Sequence, residues 1–370
     1  MSSMIGNKLK ISIFGESHGA GIGVVIDGLP AGFSLDTDCI NRQMKRRAPG
    51  TSILSTSRKE EDEYKILSGI FRGKTTGTPL AAVIYNIDKK PEDYSQLKNI
   101  LRPGHSDYTG YIKYSSYNDY RGGGHFSGRL TAPVLFGGAV AMQFLESKNI
   151  YIGSRIKSIY NINDDDAENI DTEAIKNLKE MNFPVISSEK GKLMTEIIAE
   201  QKNLGNSLGG IVETFIINVP AGYGEPFFDS IESKISHMIF SIPAVKGIEF
   251  GAGFKITELT GKEANDEFMI SDGKIITSKN NNGGILGGIS DGMPITFKTA
   301  IKPTPSIACT QNTVDISSME NTEINIQGRH DPCIVPRAVP VIEGAAALVI
   351  LDLILERDGE KWSLIKQEPK

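Results

Sequence analysis

The sequence predicts an α+β fold in which sheets enclose a layer of helices. Three observations lead there. Strand-like runs come in hairpin-like pairs rather than in strict alternation with helices, which disfavours a doubly wound parallel sheet. Two helical stretches, 132–148 and 338–356, are small-residue or apolar almost all round, so each needs cover on several faces. The second half of the chain also repeats the grammar of the first. Leu29-Pro30-Ala31-Gly32-Phe33 returns as Val219-Pro220-Ala221-Gly222-Tyr223, and Gly77-Thr78-Pro79-Leu80 returns as Gly292-Met293-Pro294-Ile295. Residues 127–141 resemble 335–349, with Arg129 matched to Arg337. Matches in one order imply duplication: a single domain over 1–370 with pseudo-repeat halves at about 9–150 and 205–356 and an internal pseudo-twofold.

Each element has its own signal. Residues 9–14 read as a strand ending at Gly15, and Val24 to Ile26 as a second. Asp36 or Thr37 caps a helix running to about Arg47, which Ala48-Pro49-Gly50 stops. The serine- and threonine-rich 51–58 is loop, and 64–71 and 79–87 are strands. The acidic stretch 161–190, with Asp164, Asp165 and Asp166, reads as an exposed helical excursion without chemistry.

Composition is that of an ordinary globular protein, and a net charge of −5 argues against a nucleic-acid binder. Eight of the twelve arginines precede residue 130, however, so a local positive pocket is expected within an acidic chain. Three cysteines without metal spacing suit a reducing compartment, and the N-terminus has no apolar signal region. The expected location is the cytoplasm. The five histidines show no ligand pattern, so no metal is expected.

Chemistry concentrates between Arg102 and Ala132. A loop this long is uncommon unless it is functional. Gly122, Gly123 and Gly124 let the backbone approach a planar or phosphorylated ligand, and Arg121 and Arg129 flank them with His105 and His125. His18 stands in a tight polar turn beside Glu16, where its near-neutral titration suits a general acid. Arg46 and Arg47 close a helix, either as a solvated face or as a phosphate clamp. A second glycine-rich loop, 280–292, precedes Lys302, Thr304 and Ser306, and Arg329-His330-Asp331 precedes Arg337. Arginines, a lysine and histidines with one evident acid, Asp331, suit a polyanionic substrate and a departing phosphate. The set does not suit a hydrolase that needs paired carboxylates or a serine triad. Gly69 to Thr75 mimics a P-loop but has three residues between its glycines where four are needed.

The motifs GESHG (15–19), RRAPGTS (46–52), RPGHSDYTGYIKY (102–114), DYRGGGHFSGR (119–129), VPAGYGEP (219–226), AVKGIEFG (244–251), GGILGGISDG (283–292), KPTPSI (302–307) and GRHDPC (328–333) together strongly resemble the chorismate synthases, from about residue 9 to 356. The resemblance implies an enzyme that uses reduced FMN, without net oxidation, for a 1,4-trans elimination. 5-Enolpyruvylshikimate 3-phosphate becomes chorismate plus phosphate. It also implies a homotetramer whose subunit places helices between two antiparallel sheets, and an external source of reduced flavin. By motif, His18 would protonate the departing phosphate, His105 would stabilise the reduced flavin near N1, and Asp331 would help N5 take the C6 proton. Arg47, Arg129 and Arg337 would hold the substrate's anionic groups. His125, Phe126, Ser127, Pro243, Ala244, Gly287, Lys302, Pro303, Thr304, Pro305, Ser306 and Arg329 would contact FMN. Ile53, His125-Phe126, Pro243 and Pro305 depart from the family's usual residues. An NAD(P)H-dependent flavin reductase, which some members carry as an added activity, and a non-enzymatic anion-binding module are the competing readings; no dinucleotide fingerprint favours the former.

Overall fold

In the computed structural model, residues 3–48, 62–87, 98–167, 170–326 and 331–359 are described. The expected loop at 51–58, Ile53 and Arg329 lie outside them. The first sheet comprises β1 (Met4–Ile5), β2 (Lys10–Gly15), β3 (Gly21–Asp27), β4 (Tyr64–Ser68) and β5 (Leu80–Tyr85). Its order is β1-β2-β3-β5-β4, antiparallel throughout. The second comprises β6 (Tyr151–Ile159), β7 (Ile162–Asn163), β8 (Gly210–Ile217), β9 (Val245–Phe250) and β10 (Ile295–Ile301). It is also antiparallel, in the order β7-β6-β8-β10-β9. In β10, Ile295, Phe297, Thr299 and Ile301 are buried and the residues between them are not, the two-residue period of a strand with one covered face.

Seven helices matter here: α1 (Thr37–Arg47), α2 (Asp107–Lys113), α3 (Thr131–Glu146), α4 (Thr172–Glu180), α5 (Ser188–Asn203), α6 (Ile231–Phe240) and α7 (Val335–Asp358). The side chain of Asp36 accepts from the Asp38 and Cys39 amides, so the predicted cap of α1 is in place. Helix α3 packs against the first sheet, α7 against the second, and the two helices pack on each other. They close up because Gly138 faces Gly344, where a Cβ would collide with the opposing backbone. Helix α7 is long and apolar enough to cross a membrane, but its most apolar window is 94% buried inside the molecule, as befits a core helix. The first strands are tied to this helix. Asp352, on α7, accepts the backbone amides of Asn7, Lys8 and Leu9 at 2.8–3.2 Å.

One boundary and one expectation change. The run expected at 64–71 stops at Ser68, because Gly69 (φ +86°) turns the chain into a small hairpin, Ile70–Phe71 with Lys74–Thr75. The stretch 161–190 is not simply an exposed helical excursion. It holds β7, α4 and the start of α5, and α4 lays Ile175 and Leu178 onto β6. Asp164 is buried because Arg155, fully buried on β6, needs a counter-charge and finds it there at 2.7 Å.

Candidate functional site

The site grows from strand ends and helix starts. His18 follows the end of β2, in a turn closed by the Gly19 amide donating to Glu16 O. Its ring is buried against Gly122, where any side chain would collide with the imidazole. Gly122, Gly123 and Gly124 all have positive φ, so the tight path between the histidines is open to glycine and costly for other residues. A Cβ on Gly123 would sit 3.2 Å from His105 Nε2. The triplet thus runs between the two histidines that the motifs single out.

His105 precedes α2, and its Nδ1 lies 2.7 Å from Asp107 Oδ1. Arg102 also binds Asp107, through Nε and Nη2 at 2.7 and 2.6 Å. Burial alone would raise the Asp107 carboxyl, but hydrogen bonds from Arg102 and His105 overcome it and hold the group well below the usual carboxylate range. An Nδ1 hydrogen given to that carboxylate leaves Nε2 directed at the triplet.

The arginines form one cluster around an acid that the motifs did not reveal. Asp62 Oδ2 accepts from Arg47 Nε and Nη2 at 2.9 and 2.6 Å, and Oδ1 accepts from Arg129 Nη1 at 2.9 Å. Arg129 Nε donates to Asn86 Oδ1 at 2.6 Å, and Asn86 Nδ2 donates to the Glu16 and Gly19 carbonyls, which brace the turn bearing His18. Arg337, in the first turn of α7, donates from Nε to Arg47 O (2.9 Å) and from Nη1 to Asp331 (2.5 Å). Arg47, Arg129, Arg337, Asp331 and His18 therefore belong to one bonded neighbourhood. The arginine pair at the end of α1 splits: Arg46 turns to the buried Glu343 at 2.5 Å while Arg47 enters this cluster.

Of the residues expected at FMN, His125 donates from Nδ1 to Gly15 O at 2.8 Å, and Phe126 packs near Tyr114. Ser127 caps the turn leading to Arg129. Pro243 and Ala244 precede β9, and Ala244 O accepts the Lys302 amide at 2.9 Å. Lys302 Nζ donates to Gly104 O at 2.5 Å, and burial, with Lys246 nearby, lowers its pKa. The segment Lys302, Pro303, Thr304, Pro305 and Ser306 is therefore joined to the loop bearing His105. Gly287 sits in the turn between Ile285–Leu286 and Ile289–Ser290, and its neighbour Gly288 packs on Glu225 and Ser230 instead. No described contact brings Gly287 to the histidines.

The sequence and the fold have relatives. A family model described as chorismate synthase matches residues 9–355. The chorismate synthase of Pyrococcus abyssi is 47% identical over 98% of this chain and 99% of its own length. That of Thermococcus kodakarensis is 45% identical, over 96% and 98%. A solved structure, a crystal structure of chorismate synthase, superposes with a TM-score of 0.75 at 30% identity, covering 96% of this chain and 94% of that one. The chain belongs to the chorismate synthase family. Chorismate synthase activity makes it a lyase of the shikimate pathway, converting 5-enolpyruvylshikimate 3-phosphate to chorismate and phosphate. The substrate of a chorismate synthase carries a phosphate and two carboxylates, and the described residues include a linked cluster of three arginines, Arg47, Arg129 and Arg337. Asp62, Asn86 and Asp107 are the members of the site that motif reading left out; of these only Asp107 lay inside a quoted motif.

Proposed function

We propose that His18, His105 and Asp331 carry the elimination and that Arg47, Arg129 and Arg337 seat the substrate's anions. The observation that carries this reading is the convergence of His18 and His105 on one glycine triplet, beside a single linked arginine cluster. Phosphate leaves as an anion, so a proton donated from the His18 imidazole and the charge of the guanidiniums lower the barrier where charge develops. His105, oriented by Asp107, holds a fixed hydrogen-bonding face toward the triplet. Asp331, ion-paired to Arg337, would relay the proton lost from C6.

Reduced FMN fits the residues present. The buried Thr304 Oγ1 has no partner in the structure, Lys302 offers a cation beside it in sequence, and the triplet gives a Cβ-free surface. His125, Phe126, Ser127, Pro243, Ala244, Lys302, Pro303, Thr304, Pro305, Ser306 and Arg329 would hold it, with Gly287 the outlying member. When bound, the reduced flavin supplies electron density that eases departure of phosphate from a ring whose C6 hydrogen is not itself acidic.

We also infer that the two halves are related by a pseudo-twofold, as a sandwich of sheets about paired helices. Strand orders β2-β3-β5-β4 and β6-β8-β10-β9 support this, as does the matching placement of α1 with α6 and α3 with α7. On this reading the second half starts nearer 151 than 205. The working form is a cytoplasmic homotetramer supplied with reduced flavin from outside.

The test is anaerobic. Mixed with 5-enolpyruvylshikimate 3-phosphate and chemically reduced FMN, the protein should release phosphate and form chorismate together, and should do neither with oxidised FMN. His105→Ala should lower the rate by roughly 10²–10⁴-fold while melting like the parent. An undiminished rate in that variant would remove His105 from the chemistry.

A further inference from the structure

We propose that Asp62 is a positioning residue for the elimination, its carboxylate setting the two guanidinium forks that receive the substrate's anionic groups. The proposal rests on the reading of Arg47 and Arg129 as substrate ligands. Its structural basis is independent of that reading. The Asp62 side chain is wholly buried, and each of its oxygens serves a different arginine. Arg47 comes from the end of α1 and Arg129 from the turn before α3, so one carboxylate fixes two elements that are 82 positions apart in sequence (129 − 47).

An arginine is useful to an anion only when its planar fork is aimed, and the side chain otherwise holds several rotatable bonds. Here nearly every remaining edge is aimed by something. Arg47 Nη1 donates to Thr131 Oγ1 at 3.2 Å, and Arg129 Nε to Asn86 Oδ1. Through Asn86 the same bonds reach the carbonyls of the His18 turn, so the anion seat and the proposed acid are set in one frame. Asp62 itself holds φ at +52°, a backbone cost of about 1 kcal/mol for a residue that is not glycine. Such a conformation persists where surrounding contacts over-determine it, and three charge-assisted hydrogen bonds do so here.

A second role for the same carboxylate is conceivable on chemistry alone. It could sit in the anion seat as a stand-in that the substrate must displace. The two roles give opposite signs. Asp62→Asn keeps the shape, removes one negative charge and leaves the pocket more positive. If Asp62 were a stand-in, the variant would bind substrate more tightly. If it aims the forks, the variant binds more weakly despite the added attraction.

Two measurements are made on the full-length protein. One is the Kd of 5-enolpyruvylshikimate 3-phosphate by calorimetry without flavin; the other is the split of kcat and KM in the anaerobic assay. For Asp62→Asn we expect Kd and KM to rise about ten- to a hundredfold, with a smaller change in kcat. Asp62→Glu, which keeps the charge but advances it by one methylene, should fall between the two proteins. A Kd and KM in Asp62→Asn that are unchanged or lower would overturn the proposal. If Asp62→Asn does not fold, Asp62→Glu decides: parental Kd and KM there would equally overturn it, and raised values would sustain it. A parent protein that neither binds nor turns over this substrate would instead sink the assignment of the arginines.

Discussion

His105 and Asp107 show how much of a histidine's orientation is decided by a neighbour two positions away. Asp107 is buried, which opposes ionisation, yet Arg102 and His105 keep it charged far into the acid range. Its folded pKa is therefore below its unfolded one, the unfolded chain binds the extra proton, and the associated stability is present above about pH 4 and lost as pH falls through the acid range below it. Asp107→Asn should flatten the acid limb of a plot of melting temperature against pH between about pH 5 and 2, while leaving the neutral region lower overall. An acid limb as steep as the parent's would show that other carboxylates carry it. His18 stood out in the sequence between Gly15 and Gly19 beside Glu16, and His105 beside Arg102 and Gly104. Asp62 did not. It is the third residue of the run Glu60-Glu61-Asp62-Glu63, which reads as a solvated acidic face. Only the fold brings Arg47 and Arg129 to it, from 15 and 67 positions away. Asn86 is hidden for the same reason, since nothing near it in sequence hints at a carbonyl brace.

Among the elements, α3 and α7 were the most legible. Small residues at 132–148 and an apolar surface at 338–356 predict helices in mutual contact, and the contact is closest at Gly138 and Gly344. Gly138→Ala should cost about 3 kcal/mol, because the added methyl meets backbone that cannot rotate away. Chemical denaturation checks this, and a midpoint equal to the parent's would mean the helices separate freely. The acidic stretch after β6 was less legible. Its aspartates resemble a solvated excursion, but Asp164 serves a buried arginine on the preceding strand. That arginine begins a row of alternating charges across the second sheet. Arg155 meets Glu213 at 2.7 Å, Glu213 stands opposite Lys298, and Lys298 reaches Glu249 at 3.1 Å. Cross-strand pairs of this kind help fix register, which a single strand's sequence does not display.

For the molecule as a whole, the mixture of helices and antiparallel sheets followed from hairpin-like strand runs and two helices apolar or small almost all round, but the join between residues 7–9 and α7 did not. Asp352 reads as an acid misplaced in an apolar helix until the amides of residues 7–9 are seen to converge on it. Lys234 approaches within 3.7 Å, so the carboxylate is charge-balanced as well. Asp352→Ala leaves those amides without their acceptor and should cost about 3 kcal/mol, lowering the urea midpoint with little change in slope. An unaltered midpoint would show the join to be incidental.

The same join bears on how the protein comes off the ribosome. Residues 7–9 dock on Asp352, which is translated 343 to 345 positions later, and the first sheet is backed by α3, whose other side is covered by that same later helix. The leading sheet must then wait, partly bare, until about residue 358 has cleared the exit tunnel. Nascent chains stalled before α7 should therefore be the species that chaperones and proteases engage.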